Sequence, residues 1–146
     1  MMSYNSYNDI MRAVIDTNVL VEGLSRRGVC GAIVNSWVDG RFTVCVSTAL
    51  ALEYEDVLTR HGGNERVELV RKALQALLSR VEFVPVVFSY RPSSKDSGDD
   101  MVIDCAMNGR AAIVTSNIKD FREASERFGF GLYTPEGFLA ALEEEK

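Results

Sequence analysis

The sequence predicts an α/β sandwich with a mostly parallel central sheet, on three observations. Short, continuously apolar runs of the kind found in buried strands recur along the chain (RAVI at 12–15, FTVCV at 42–46, AAIVT at 111–115), and stretches with helical spacing of apolar residues separate them. The chain has 146 residues, 47% hydrophobic and 25% charged, enough to bury one core. No internal repeat, low-complexity stretch or linker divides it, so residues 12–146 are expected to form a single domain after a polar, flexible segment at 1–11.

The first strand, Arg12–Ile15, runs straight into Asp16-Thr17-Asn18, and Val19–Leu24 can make one or two helical turns. Gly31–Val38 places Ile33, Val34, Trp37 and Val38 at helical spacing and is closed by Asp39-Gly40. Phe42–Val46 is a β-branched strand. It ends at Ser47, a good N-cap for a helix that runs to His61 and is terminated by Gly62-Gly63. Asn64–Ser79 carries Val67, Val70, Leu74, Leu77 and Leu78 as one apolar stripe. Val81–Phe88 reads as a strand that Pro85 confines to an edge or a bulge. Arg91–Gly98 is a polar loop, and Asp99–Asn108 a helix stopped by Gly109. The strand at Ala111–Thr115 breaks into Ser116-Asn117. A short helix at Lys119–Arg127, a strand at Gly131–Thr134 and a helix with Pro135 in its first turn complete the chain.

Charge and cysteine content narrow the classes. With 16 Lys+Arg against 21 Asp+Glu the net charge is -5, which argues against a protein that coats nucleic acid through phosphate neutralisation. It is compatible with an enzyme whose acids gather in one site. No apolar run approaches the ~20 residues that cross a bilayer, and the start of the chain carries neither a basic region nor an apolar one, so a cytoplasmic protein without a membrane is expected. Cys30, Cys45 and Cys105 are odd in number, far apart and flanked by apolar residues, which marks them as small buried hydrophobes rather than zinc ligands or disulfide partners.

Ligands of open parallel sheets bind outside the carboxyl ends of the strands, where Asp16 and Asn117 both fall. On the helix from Asp99, residues Asp99, Val102, Ile103 and Ala106 share a face at 100° per residue, so Asp99 continues the apolar stripe while Asp100 and Asp104 lie away from it. Taken alone, Asp99 is better explained as a cap or a first-turn acid favoured by the helix dipole, because Asp96, Ser97, Asp99 and Asp100 all look like helix-start residues. On the helix after Ser47, Glu53 sits beside the apolar face of Leu50, Tyr54, Val57 and Leu58 and is the acid expected to be half buried. Carboxylates brought together from separate segments tolerate one another only with cations between them. All-oxygen ligation of that kind selects Mg²⁺ or Mn²⁺.

Four segments then match a known pattern: VIDTNVL at 14–20, STALALEYEDVL at 47–58, DSGDDMVIDCA at 96–106 and IVTSNIKDF at 113–121. In this order and with these gaps they resemble the PIN domain family, most closely its branch of toxins from toxin–antitoxin modules, over about residues 12–142. The resemblance implies a three-layer α/β/α fold and a metal-dependent ribonuclease, in which a water activated by Mg²⁺ or Mn²⁺ attacks the RNA phosphate in line. By position, Asp16, Glu53 and Asp99 correspond to the first three acids, with Asp100 a close rival for the third place. Asn117 stands where many members carry a fourth Asp, which puts a second tightly held metal in doubt. Asp104 and Asp120 are further metal-ligand candidates, and Thr17, Asn18, Thr115 and Ser116 would support the site. The resemblance also implies a homodimer held inactive by a cognate antitoxin.

Other residues fit less active roles. His61, the only histidine, falls at an expected helix end and reads as a cap rather than a general base. Arg26, Arg27, Lys95 and Lys119 are candidate RNA contacts whose default explanation is solvated surface charge. Two alternatives compete with the nuclease. One is a PIN-fold binding protein or scaffold with weak catalysis, kept open by Asn117. The other is an Asp-dependent phosphotransfer enzyme, disfavoured because a second aspartate would be required where Asn18 stands. The five acids Asp16, Glu53, Asp99, Asp104 and Asp120 equal the whole negative excess, so RNA binding is expected to strengthen when divalent metal is added.

Overall fold

The computed structural model describes residues 11–60, 63–90 and 97–145. The expected N-terminal segment up to residue 10, the cap at His61-Gly62 and most of the loop at 91–98 therefore lie outside the described residues. The described strands are β1 (Arg12–Ile15), β2 (Thr43–Val46), β3 (Glu82–Phe83), β4 (Ala112–Val114) and β5 (Leu132–Tyr133). They form one parallel sheet in the order β3-β2-β1-β4-β5. Among the described residues seven helices connect and follow them: α1 (Thr17–Gly23), α2 (Gly28–Val38), α3 (Thr48–Thr59), α4 (Asn64–Leu78), α5 (Ser97–Gly109), α6 (Ile118–Phe128) and α7 (Pro135–Glu144).

The chain steps from β1 to β2 to β3 in one direction, then crosses back to β4 and β5 in the other. Helices cover both faces of the sheet: α2 packs with α7, while α5 packs with α3 and α6 and against β1, β2 and β4. The result is the three-layer α/β/α sandwich. β1 lies at the centre, its Ala13, Val14 and Ile15 fully buried, which is why its sequence is apolar without alternation.

Local signals explain most boundaries. Ser47 caps α3 by accepting from the Leu50 N–H at 3.1 Å, and Thr134 caps α7 by accepting from Gly137 N–H at 3.0 Å, with Pro135 in the first turn. Cys30, Cys45 and Cys105 are buried and unbridged, as their neighbours suggested. Three expectations change. Helices α1 and α2 begin two and three residues earlier than their apolar spacing indicated, at Thr17 and Gly28, because first turns need no apolar face. Helix α5 likewise begins at Ser97. The strand expected over Val81–Phe88 pairs only at Glu82 and Phe83, since Pro85 has no N–H and the amides of Val87 and Phe88 are taken by the Asn108 side chain instead.

Candidate active site

The order of the sheet reverses between β1 and β4, and the crevice at their carboxyl ends is where such folds bind ligands. Asp16 stands there. Its amide donates to the Val114 carbonyl at 3.0 Å, tying it to β4, and its own carbonyl accepts from Val19 and Leu20 to start α1. Its side chain does not cap that helix. Oδ2 accepts instead from the Thr115 hydroxyl at 2.7 Å, and Thr115 Oγ1 accepts from the Asn117 N–H at 2.9 Å. Asp16 is 6% exposed and Thr115 fully buried. A carboxylate this buried is tolerable only with donors aimed at it, and the chain of bonds from Asn117 through Thr115 supplies one.

Glu53 is half-buried on α3, as its place beside the apolar face predicted. Its neighbour Tyr54 is fully buried, and the Tyr54 hydroxyl donates to the carbonyl of Ile15 at 2.5 Å. Burial holds the phenol well above its usual range, so it remains a donor. The helix bearing Glu53 is thereby tied to the residue that precedes Asp16. Sequence reasoning placed Tyr54 in the core stripe and had no signal for its hydroxyl.

The first turn of α5 supplies the other acids, because a helix leading into a parallel strand has its N-terminus at the carboxyl edge of the sheet. Here the expected helical face needs correction. Asp99 is half-buried, whereas Asp100 at 6% and Asp104 at 1% exposure are buried. A single apolar stripe describes a helix covered on one side. Helix α5 is instead flanked by the sheet, α3, α6 and the chain at 87–90, so residues off the stripe are enclosed too. Asp104 accepts from the Tyr90 amide at 2.7 Å and the Ser89 hydroxyl at 3.4 Å.

The remaining residues line the rim. Thr17 is buried, while Asn18, Ser116, Asn117 and Asp120 are exposed. Asn117 accepts the amide of Asp120 through its carbonyl at the start of α6. Ser116 also lines a cavity of about 230 Å³ together with Arg27, Cys30, Glu22 and Glu136. Of the suggested RNA contacts, Arg27 lines this cavity with Ser116, Lys119 is exposed in the first turn of α6, and Lys95 lies outside the described residues. Thiol chemistry is unfavourable: burial pushes Cys30 up to about 11 and Cys105 up to about 12. Among the described residues, no three His, Cys, Asp or Glu side chains stand together as an ion-holding group. Asp16 follows β1, Glu53 lies on α3, and Asp99 and Asp100 lie on α5; in donor chemistry such carboxylates suit a hard divalent cation.

Comparison with known proteins gives a consistent result. The PIN domain family profile matches residues 12–119. No curated protein sequence matches the chain. Among solved structures, the chain resembles one from VapBC2 of Rickettsia felis bound to a DNA fragment from their promoter, at 18% identity and TM-score 0.62, covering 85% of this chain and 98% of that one. It also resembles a chain of FitAB bound to an IR36 DNA fragment, at 17% identity and TM-score 0.59, covering 84% and 94%. A chain of FitAcB from Neisseria gonorrhoeae aligns at 15% identity and TM-score 0.60, covering 84% and 97%.

Proposed function

The chain belongs to the PIN domain family, and from that premise we propose that it is a metal-dependent ribonuclease of the toxin type, with Asp16, Glu53 and Asp99 as the acids that hold Mg²⁺ or Mn²⁺ and Asp100 beside them. The observation that carries this reading is the buried Asp16 carboxylate at the switch point of the sheet, oriented by Thr115. A buried acid aimed by a hydroxyl at a ligand crevice is poorly explained by stability alone.

A divalent ion bound there would polarise the scissile phosphodiester and acidify the attacking water. The protein's share is positional. Thr115 fixes the rotamer of Asp16, Tyr54 fixes the backbone before it, and Asn117 and Asp120 present polar groups at the open rim where a single strand would lie. Glu53 and Asp99 are half-buried and would supply further carboxylate oxygens to a bound ion. Arg27, beside Ser116, offers a cation to a neighbouring phosphate.

A second reading is favoured by two observations: the rim position at 117 is Asn, and among the described residues the acids do not stand as an ion-holding group. On that reading the chain is a PIN-fold scaffold. Mn²⁺ titration by calorimetry, followed by cleavage of a single-stranded RNA, separates the two, since a scaffold would neither bind the ion nor cleave.

As to partners, solved relatives were captured with DNA, one of them on a promoter fragment. With the toxin-like motif order this supports a cognate antitoxin protein as partner; a homodimer in a cytoplasmic setting is part of the same proposal. None of the described helices is long and apolar enough to cross a membrane.

A further inference from the structure

Between β3 and α5 the chain leaves the sheet, yet it is held by an unusual concentration of side-chain hydrogen bonds. Asn108 Oδ1 accepts from the amides of Val87 at 2.9 Å and Phe88 at 3.0 Å. Its Nδ2 donates to the Phe88 carbonyl and to the Asp104 carbonyl, each at 2.8 Å. One helical turn earlier, Asp104 accepts from the Tyr90 amide through Oδ1 and from the Ser89 hydroxyl through Oδ2. Two side chains at i and i+4 on α5 thus take the place of a neighbouring strand for residues 87–90. Apolar burial contributes only at Tyr90, which packs edge-to-face on Phe128, because Val87 is 74% and Phe88 67% exposed.

We infer that Asp104 and Asn108 form a positioning clasp for the candidate site, and that Asp104 is not a metal ligand. Both Asp104 oxygens serve the chain at 89–90, and the residue is 1% exposed. Helix α5 begins at Ser97, seven residues after Tyr90, and its first turn carries Asp99 and Asp100. A clasp that pins residues 87–90 along α5 holds the helix whose first turn carries the two acids, and so limits where they can stand. The inference rests on the nuclease reading for its consequence, while the clasp itself is an observation.

The test compares Asp104→Asn, Asp104→Ala and Asn108→Ala in the full chain, with circular dichroism to confirm folding. Three readouts are taken: Mn²⁺ affinity by calorimetry, kcat and KM on a single-stranded RNA, and hydrogen exchange at the Val87, Phe88 and Tyr90 amides. Asparagine keeps an acceptor for the Tyr90 amide but loses the charge. A clasp therefore predicts that Asp104→Asn retains Mn²⁺ affinity within about threefold. It also predicts that Asp104→Ala and Asn108→Ala weaken affinity at least tenfold, lower kcat more than they raise KM, and speed exchange at the three amides. Equal loss of Mn²⁺ affinity in Asp104→Asn and Asp104→Ala would make Asp104 a ligand and overturn the inference. Unchanged affinity in folded Asp104→Ala and Asn108→Ala would overturn it as well. If the unaltered protein binds no Mn²⁺ and cleaves no RNA, the nuclease reading is what fails, and the positioning role falls with it even where exchange confirms the clasp.

Discussion

The Thr115 hydroxyl donates to the Asp16 carboxylate at 2.7 Å across the junction of β1 and β4, with both residues buried. This bond spans the place where the sheet reverses its order and sets the direction of the acid on which the proposed chemistry depends. Thr115→Val keeps the shape and removes the donor. It should destabilise the fold by about 1–3 kcal/mol, the cost of leaving a buried acceptor unmet, and weaken Mn²⁺ binding. Thr115→Ser should restore both, as urea unfolding and calorimetry would show.

Tyr54 gives a second, independent handle. Tyr54→Phe retains the buried ring and loses only the bond to the Ile15 carbonyl. A loss of about 1–2 kcal/mol in denaturant unfolding is expected, with a fall in RNA cleavage larger than the stability change would explain.

Close packing of α1 on α2 depends on Gly23. A Cβ there would come within 2.5 Å of the Cys30 carbonyl oxygen and 2.7 Å of Val34 Cγ2, and backbone cannot yield as a flexible side chain does. Gly23→Ala should cost about 1–3 kcal/mol through overpacking, read as a lowered urea midpoint with an unchanged slope.

At the amino edge of the sheet Arg12 meets Glu82 through two bonds, at 2.7 and 2.8 Å, and reaches the Gly109 carbonyl as well. The Arg12 hydrogen bond holds the Glu82 carboxyl below its ordinary range. A carboxyl with a lowered folded value contributes stability above the unfolded value and loses it as the pH falls through the folded one. Wild type should therefore lose its advantage over Glu82→Gln between about pH 5 and pH 3. Because the pair is half exposed, the advantage should stay at about 1 kcal/mol or less, measurable by thermal unfolding across that range.

Much of this arrangement was legible in the sequence, and what was hidden has identifiable causes. The apolar run before Asp16 and the polar break after Val114 reported a central strand and its carboxyl end, because burial on both faces leaves a compositional trace. Glu53 was legible as half-buried from its position beside Leu50 and Tyr54. The burial of Asp100 and Asp104 was not, since periodicity describes one covered face and α5 is covered on several. The short β3 was also illegible: an apolar, β-branched run reads as a strand, and only the distant Asn108 side chain reveals that Val87 and Phe88 bond elsewhere. Hydroxyl partners such as that of Tyr54 leave no trace in spacing at all.

The central claim, that Asp16 anchors a metal site that cleaves RNA, is tested most directly by comparing wild type with Asp16→Asn for cleavage of a single-stranded RNA in Mn²⁺ and in chelator. The account predicts cleavage by the wild type only with metal, and a loss of about a hundredfold or more in the variant, in keeping with the several kcal/mol that a metal contributes. Undiminished cleavage by a clean, folded Asp16→Asn preparation, or equal wild-type cleavage in chelator, would contradict it.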